Sequence, residues 1–339
     1  MKKLMTALVA VLSVAVAAGT ARAADPLKLI AKYKMPSGVK GRFDHLGVDL
    51  RGDRLFLAAE SAHAVLVFNL RTGQYIRSIT GIGIPHAIFC REDLDRIYVT
   101  DGGAGELKIY DGESYRLVKS VKLKADADSI GYDAATEDLY IDNGGGDAHE
   151  TFSMFSTVNT TTGDKAAEMQ IDGDTLEAMA IEKSGPRIFV NNRAKNQISV
   201  IDRKTRKLLA SWPVTMSKFN VAMAFDEGSH RLFVGCRGGE IVVVDTHTGK
   251  ELQALPIPKG VDDLIFDPGR KRIYATCGSD KGAIAVYEET DADHYQSLGA
   301  IPSAPGGKNE VLVAQLGRLY VAIPPQGTEP GEVYVYRTQ

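Results

Sequence analysis

Arg96-Ile97-Tyr98-Val99-Thr100-Asp101, followed by Lys108-Ile109-Tyr110-Asp111, is a charged residue leading a short apolar run with an aromatic at its centre, then a second such run ending in an acid. The first half recurs along the whole chain. Its copies are Arg54-Leu55-Phe56-Leu57, Asp138-Leu139-Tyr140-Ile141, Arg187-Ile188-Phe189-Val190, Arg231-Leu232-Phe233-Val234, Arg272-Ile273-Tyr274-Ala275 and Arg318-Leu319-Tyr320-Val321. Successive starts are 42, 42, 49, 44, 41 and 46 residues apart. Seven units of this length are the mark of a radial β array, one four-stranded blade per repeat.

Each copy carries the same neighbours. An apolar strand precedes it and ends in an acid, as in Gly47-Val48-Asp49, Gly131-Tyr132-Asp133, Ala224-Phe225-Asp226 and Ile265-Phe266-Asp267. A third strand follows, as in Leu66-Val67-Phe68-Asn69 and Val242-Val243-Val244-Asp245, then a hairpin at Thr72-Gly73 or Thr248-Gly249. A fourth strand such as Gln74-Tyr75-Ile76-Arg77-Ser78-Ile79 alternates apolar with polar, as a water-facing strand does. The last repeat has no such strand, because only Arg337, Thr338 and Gln339 follow Tyr336. Leu27 to Met35 is the candidate to replace it. The pattern predicts an all-β, seven-bladed β-propeller whose N-terminal strand pairs with the third strand of the last blade and closes the ring.

The repeat resembles that of the YVTN-type seven-bladed β-propellers. The resemblance is carried by Arg96 to Asp111 and by Arg231 to Leu255, with Val244-Asp245-Thr246-His247-Thr248-Gly249-Lys250 closest to the consensus. It implies the fold over about Leu27 to Arg337. Families resembling it include surface-layer and exported proteins, and related seven-bladed families include bacterial lactonases and a streptogramin lyase. No motif common to these transfers a catalytic residue to this chain.

The first residues read as a secretory leader. Met1-Lys2-Lys3 is basic, Leu4 to Ala18 is apolar apart from Thr6 and Ser13, and Ala21-Arg22-Ala23 fits a cleavage site. The expectation is a signal peptide over 1–23, a single propeller domain over 24–339, and a periplasmic or secreted protein. No other apolar run is long enough to span a membrane. The full chain carries a formal charge of −3. Losing Lys2, Lys3 and Arg22 makes the mature chain more acidic, which argues against nucleic acid as a partner. Three cysteines, Cys90, Cys236 and Cys277, form neither a CxxC motif nor a disulfide framework.

Ligands of such rings bind where the first strands begin, because seven loops converge there. Aligned on their acid endings, the first strands give a leading column of Asp44, Pro85, Asp128, Glu177, Val221, Asp262 and Asn309. The next column is His45, His86, Ser129, Ala178, Ala222, Asp263 and Glu310. Strand alternation turns only one of the two columns inward in each blade. The candidate ligand-binding residues are therefore His45, His86, Asp128, Glu177, Asp262, Asn309 and Glu310, with Asn220 beside them. Two carboxylates ~6 Å apart repel by about 2.8 kcal/mol at an effective dielectric of ~20. Water, a proton or a bound cation relieves this. Oxygen donors suit Ca²⁺, Mg²⁺ or Mn²⁺, and added histidine widens the choice to Zn²⁺ or Fe²⁺. Two functions stay open. One is a binding or scaffold propeller holding a small molecule, cation or protein segment at the mouth. The other is a metal-assisted, lactonase-like hydrolase or lyase, with His45 or His86 as base and Asp128, Glu177 and Asp262 on the metal.

Overall fold

All seven repeat motifs open a strand at their charged residue: Arg54–Ala59, Arg96–Asp101, Asp138–Gly144, Arg187–Asn192, Arg231–Cys236, Arg272–Cys277 and Arg318–Ile323. Each is the second strand of a four-stranded antiparallel sheet, and there are seven such sheets. The computed structural model describes residues 25–339. The leader read over 1–23 lies outside the described residues. Among these residues no helix is long and apolar enough to cross a membrane.

The sheets form a ring. The first strands are Leu46–Asp49, Pro85–Arg91, Ile130–Asp133, Leu176–Ile181, Asn220–Asp226, Val261–Asp267 and Asn309–Val313. Each packs on the next in order, and Asn309–Val313 packs back on Leu46–Asp49. The apolar runs fill the space between blades. Phe56, Val65 and Val67 of the first blade share a buried cluster with Ile88, Ile97 and Val99 of the second. Second and third strands are almost wholly buried, whereas the fourth strand Tyr75–Thr80 is mostly exposed. That is why only the outermost strand alternates in sequence.

The repeat's charges serve the strand ends. Arg54 bonds Asp49 at the end of the preceding strand, Arg187 bonds Glu182 in the same way, and Arg231 reaches Asp245 at the end of the third strand at 2.9 Å. Each half-buried guanidinium thus has its carboxylate, which a buried charge requires.

The N-terminal strand closes the ring as expected. Leu27–Lys34 pairs antiparallel with Glu332–Thr338, from Leu27 opposite Thr338 to Lys34 opposite Glu332. Tyr33 and Met35 enter one cluster with Leu55 and Phe68 of the first blade and Tyr320, Val333 and Val335 of the last. Leu27 joins Tyr274 and Ile284 of the sixth blade. Gly73 makes room for this strand: its φ is +74°, and a Cβ there would fall 2.0 Å from Tyr33 Cδ1.

The first strands depart from regular alternation where they begin. Register breaks fall between Pro85 and Ile88, Leu176 and Met179, Asn220 and Ala222, and Val261 and Asp263. A bulge lets consecutive residues share one side of a strand. The expectation that one column alone faces inward is thereby corrected.

Candidate functional site

Both columns line the axis, at two depths. An upper cavity of about 360 Å³ is walled by Asp44, Asp128, Glu177, Val221 and Asp262 of the leading column, with His45, His86, Ser129 and Ala178 of the next. A lower cavity of about 230 Å³ continues from His45, Ser129 and Ala178 to Asp263 and Glu310, then to an apolar belt that includes Leu46, Ile88, Ile130 and Met179. Of the predicted residues, His45, His86, Asp128, Glu177 and Asp262 meet in the upper cavity. Glu310 sits in the lower one.

The other two predicted residues are structural. Asn220 is fully buried, and its Nδ2 donates to Asn191 Oδ1 at 2.9 Å and to the Gln197 carbonyl at 3.0 Å, fastening two blades. Asn309 is also buried. Its Nδ2 donates to Asp44 Oδ1 and to Asp262 Oδ2, both at 3.2 Å, so it props the acids from behind.

Asp44 is the hub of the upper cavity. Its Oδ2 lies 2.6 Å from His86 Nδ1, and its Oδ1 lies 3.7 Å from His45 Nε2. The other nitrogen of His45, Nδ1, is held by the Asp263 carboxylate at 3.1 Å. Behind His86, Gly102 must stay small, since a Cβ there would come 2.7 Å from His86 Nε2.

Four permanent cations from outside the first-strand columns also line the cavity: Arg42, Arg193, Arg237 and Lys308. Arg42 meets Glu60 at 3.0 Å, and Arg193 meets Glu177 at 3.0 Å. Arg237 and Lys308 both grip Asp262. Of the acids in the hydrolase reading's metal set, Glu177 and Asp262 are thus engaged by basic side chains, and Asp128 is not. Asp126, Asp147 and Asp174 also line the cavity. The segment Asp142 to Glu150 carries a 3₁₀ turn over Gly145–Ala148, and its Gly146 and Asp147 reach the cavity wall.

Burial and crowding push the protonation states apart. Burial works against charge on His86, but its bond to Asp44 and the carboxylates of Asp128 and Glu60 raise it to about 9. Burial likewise opposes charge on His45, yet Asp263 and Asp44 lift it well above the usual imidazole range. Burial, with Asp128 beside it, raises Glu177 to about 7 against the pull of Arg237 and Arg193. Burial, then Asp128 and Asp147, raises Asp126 to about 6. Asp262 moves the other way: burial would raise it, but Lys308 and Arg237 hold it low. Burial pushes Glu310 well up, opposed only by the Thr276 hydroxyl.

These shifts set a pH dependence. Glu177 is raised from 4.5 to about 7, so the fold favours its neutral form. Its contribution to stability is complete below about pH 4.5 and lost as pH rises through 7. Glu177→Gln removes that loss. The Tm of the variant minus that of the wild type should therefore climb by several degrees between pH 5 and pH 8. Melting curves across that range check this, and parallel curves would contradict it.

No family model matches the chain. Among curated proteins it is 24% identical over 210 residues to the uncharacterized protein YncE of Salmonella typhimurium, covering 59% of this chain and 55% of that one. It is 23% identical over 150 residues to the seven-bladed β-propeller protein Rv1057 of Mycobacterium tuberculosis, covering 43% of this chain and 38% of that one. The chain thus spans about half the length, or less, of the curated relatives it matches. Among solved structures, a chain in the crystal structure of a mitotic checkpoint complex superposes with a TM-score of 0.75 at 15% identity, over 98% of this chain and 99% of that one. That likeness is one of fold. Seven closed blades and propeller relatives at low identity bear out the reading of the repeat: the chain is a seven-bladed β-propeller similar to the YVTN-type propellers.

Proposed function

We propose that the protein is a binding propeller whose mouth captures a small ligand bearing positive charge. The observation that carries this is the charge balance of one cavity. Its wall presents Asp44, Glu60, Asp126, Asp128, Asp147, Asp174, Glu177 and Asp262 against Arg42, Arg193, Arg237 and Lys308. Counted formally, eight carboxyl groups face four permanent cations, and acids stay in excess even with His45 and His86 charged and Glu177 neutral. A concave wall of low dielectric focuses that excess onto whatever enters. The fitting ligands are a divalent cation, a small amine, or a protein segment that inserts a lysine or arginine. The leader supports a role in the periplasm or outside the cell.

Thermal-shift measurements on the chain from Asp25 onward test this, with Mn²⁺, Zn²⁺ and putrescine as cationic probes and phosphate and citrate as anionic ones. A cationic probe is expected to raise the Tm by several degrees, as saturating ligand does. Asp128→Asn should abolish the rise. Stabilisation by the anions alone would overturn the proposal.

A second reading has its own support. An imidazole fixed by a carboxylate, His86 on Asp44, faces the same cavity as Glu177, which burial holds near neutrality. Such a pair suits acid–base chemistry of the lactonase-like kind. Turnover of a simple lactone that disappears in His86→Ala would favour this reading, and no turnover by the wild type would remove it.

A further inference from the structure

We propose that Asp44, His45 and Asp128 form a divalent-cation site on the inner wall of the mouth, one imidazole and two carboxylates open to the cavity. This rests on the binding reading and names its ligand. The three side chains offer donor atoms that all lie within 4.8 Å of one another. That is the spacing of groups able to converge on one ion.

The surroundings are those of a prepared ligand set. A metal-binding histidine commonly gives its second ring nitrogen to a carboxylate, which fixes the tautomer and aims the free nitrogen. His45 has this arrangement: Nδ1 is held by Asp263 at 3.1 Å and Nε2 turns toward Asp44 Oδ1. Asp44 is itself fixed, through His86 Nδ1 at 2.6 Å and Asn309 Nδ2 at 3.2 Å.

An independent observation points to a missing partner. Asp128 Oδ1 has no hydrogen-bond partner among the described residues, and the positive group facing it, His86 Nδ1, stands off at 3.9 Å. Directly behind it, the Asp142 carbonyl accepts the Asp128 amide at 3.1 Å, and Asp142 is 3% exposed with its own Oδ1 unpartnered. Buried carboxylate oxygens without a hydrogen bond are costly unless a proton or a cation meets them.

A neighbouring trio, Asp44, Glu60 and His86, is the weaker candidate. Its Glu60 is bridged to Arg42 at 3.0 Å, His86 Nδ1 is spent on Asp44, and His86 Nε2 backs onto Gly102. Two carboxylates with one imidazole suit Mn²⁺, Fe²⁺ or Zn²⁺ better than Ca²⁺, which takes six to eight oxygens.

The test is isothermal titration of Zn²⁺ and of Mn²⁺ into the chelator-stripped chain from Asp25 onward. One ion per chain is expected for at least one metal. Asp128→Asn and His45→Gln should each weaken it thirtyfold or more. Asp263→Asn, which keeps the ligands and only frees the imidazole, should weaken it about tenfold. Glu113→Gln, an exposed acid outside the cavity, should stay within threefold. If His45→Gln does not fold, Asp263→Asn decides the role of the imidazole. Affinity unchanged in all these variants would overturn the site. So would a wild type that binds neither ion, and putrescine separates the two failures. If putrescine still raises the Tm, the metal site alone falls; if it does not, the binding reading falls with it.

Discussion

Deleting residues 25–35 is expected to lower the Tm by about 10–20 °C or to leave the protein insoluble. Ordinary terminal residues can be trimmed at little cost, because they bury nothing. Here Leu27, Tyr33 and Met35 are at most 6% exposed and belong to cores that include residues of the sixth, seventh and first blades. Burying three such side chains contributes roughly 1.5–3 kcal/mol each, and a protein of this size loses ~2 °C per kcal/mol. The deletion also bares the edge of Glu332–Thr338, a template for pairing with another chain. Thermal unfolding followed by circular dichroism, with light scattering, checks both effects. A truncated chain that melts like the longer one would contradict ring closure by this strand.

Asp101→Ala is expected to cost about 3–5 kcal/mol, the range for stripping the partner from a buried charge. Asp101 ends the second strand of the second blade and is fully buried. Its carboxylate accepts the amides of Gly83 at 2.7 Å, Ile84 at 3.0 Å and Ala104 at 3.0 Å. It also meets the Lys108 ammonium at 2.9 Å. Alanine would orphan three backbone donors and one buried cation at once. The clamp holds the turn that delivers His86, so the mouth should loosen with it. Denaturant unfolding gives the stability loss, and a loss under 1 kcal/mol would show that the clamp is dispensable.

The ring was legible from the repeat because seven units each repeat the same physical problem. A strand buried on both faces must be continuously apolar, its aromatic must fill the gap between blades, and its terminal arginine must find an acid. Arg54 with Asp49 and Arg187 with Glu182 show that solution directly. Closure was legible for the same reason, since a blade lacking its outer strand cannot stay open.

The site was legible only in part. His45, His86, Asp128, Glu177 and Asp262 follow from alignment of the first strands, because the fold brings the starts of those strands together. Alternation misled at the bulges, where neighbouring residues such as Glu177 and Ala178 both reach the cavity. Asn309 of the leading column turns its amide to the acids, and Asn220, beside that column, turns its amide to the neighbouring blade. The basic half of the mouth lies outside the first-strand columns: Arg193 and Arg237 each sit six residues past the repeat's leading arginine, and Arg42 and Lys308 precede their first strands.

Crystals of the chelator-stripped chain, soaked in Mn²⁺ and measured at a wavelength where manganese scatters anomalously, give the most direct test of a mouth built to receive positive charge. An anomalous peak is expected inside the upper cavity, against Asp44, His45 and Asp128. Peaks confined to the outer surface, with that wall left bare, would contradict the account.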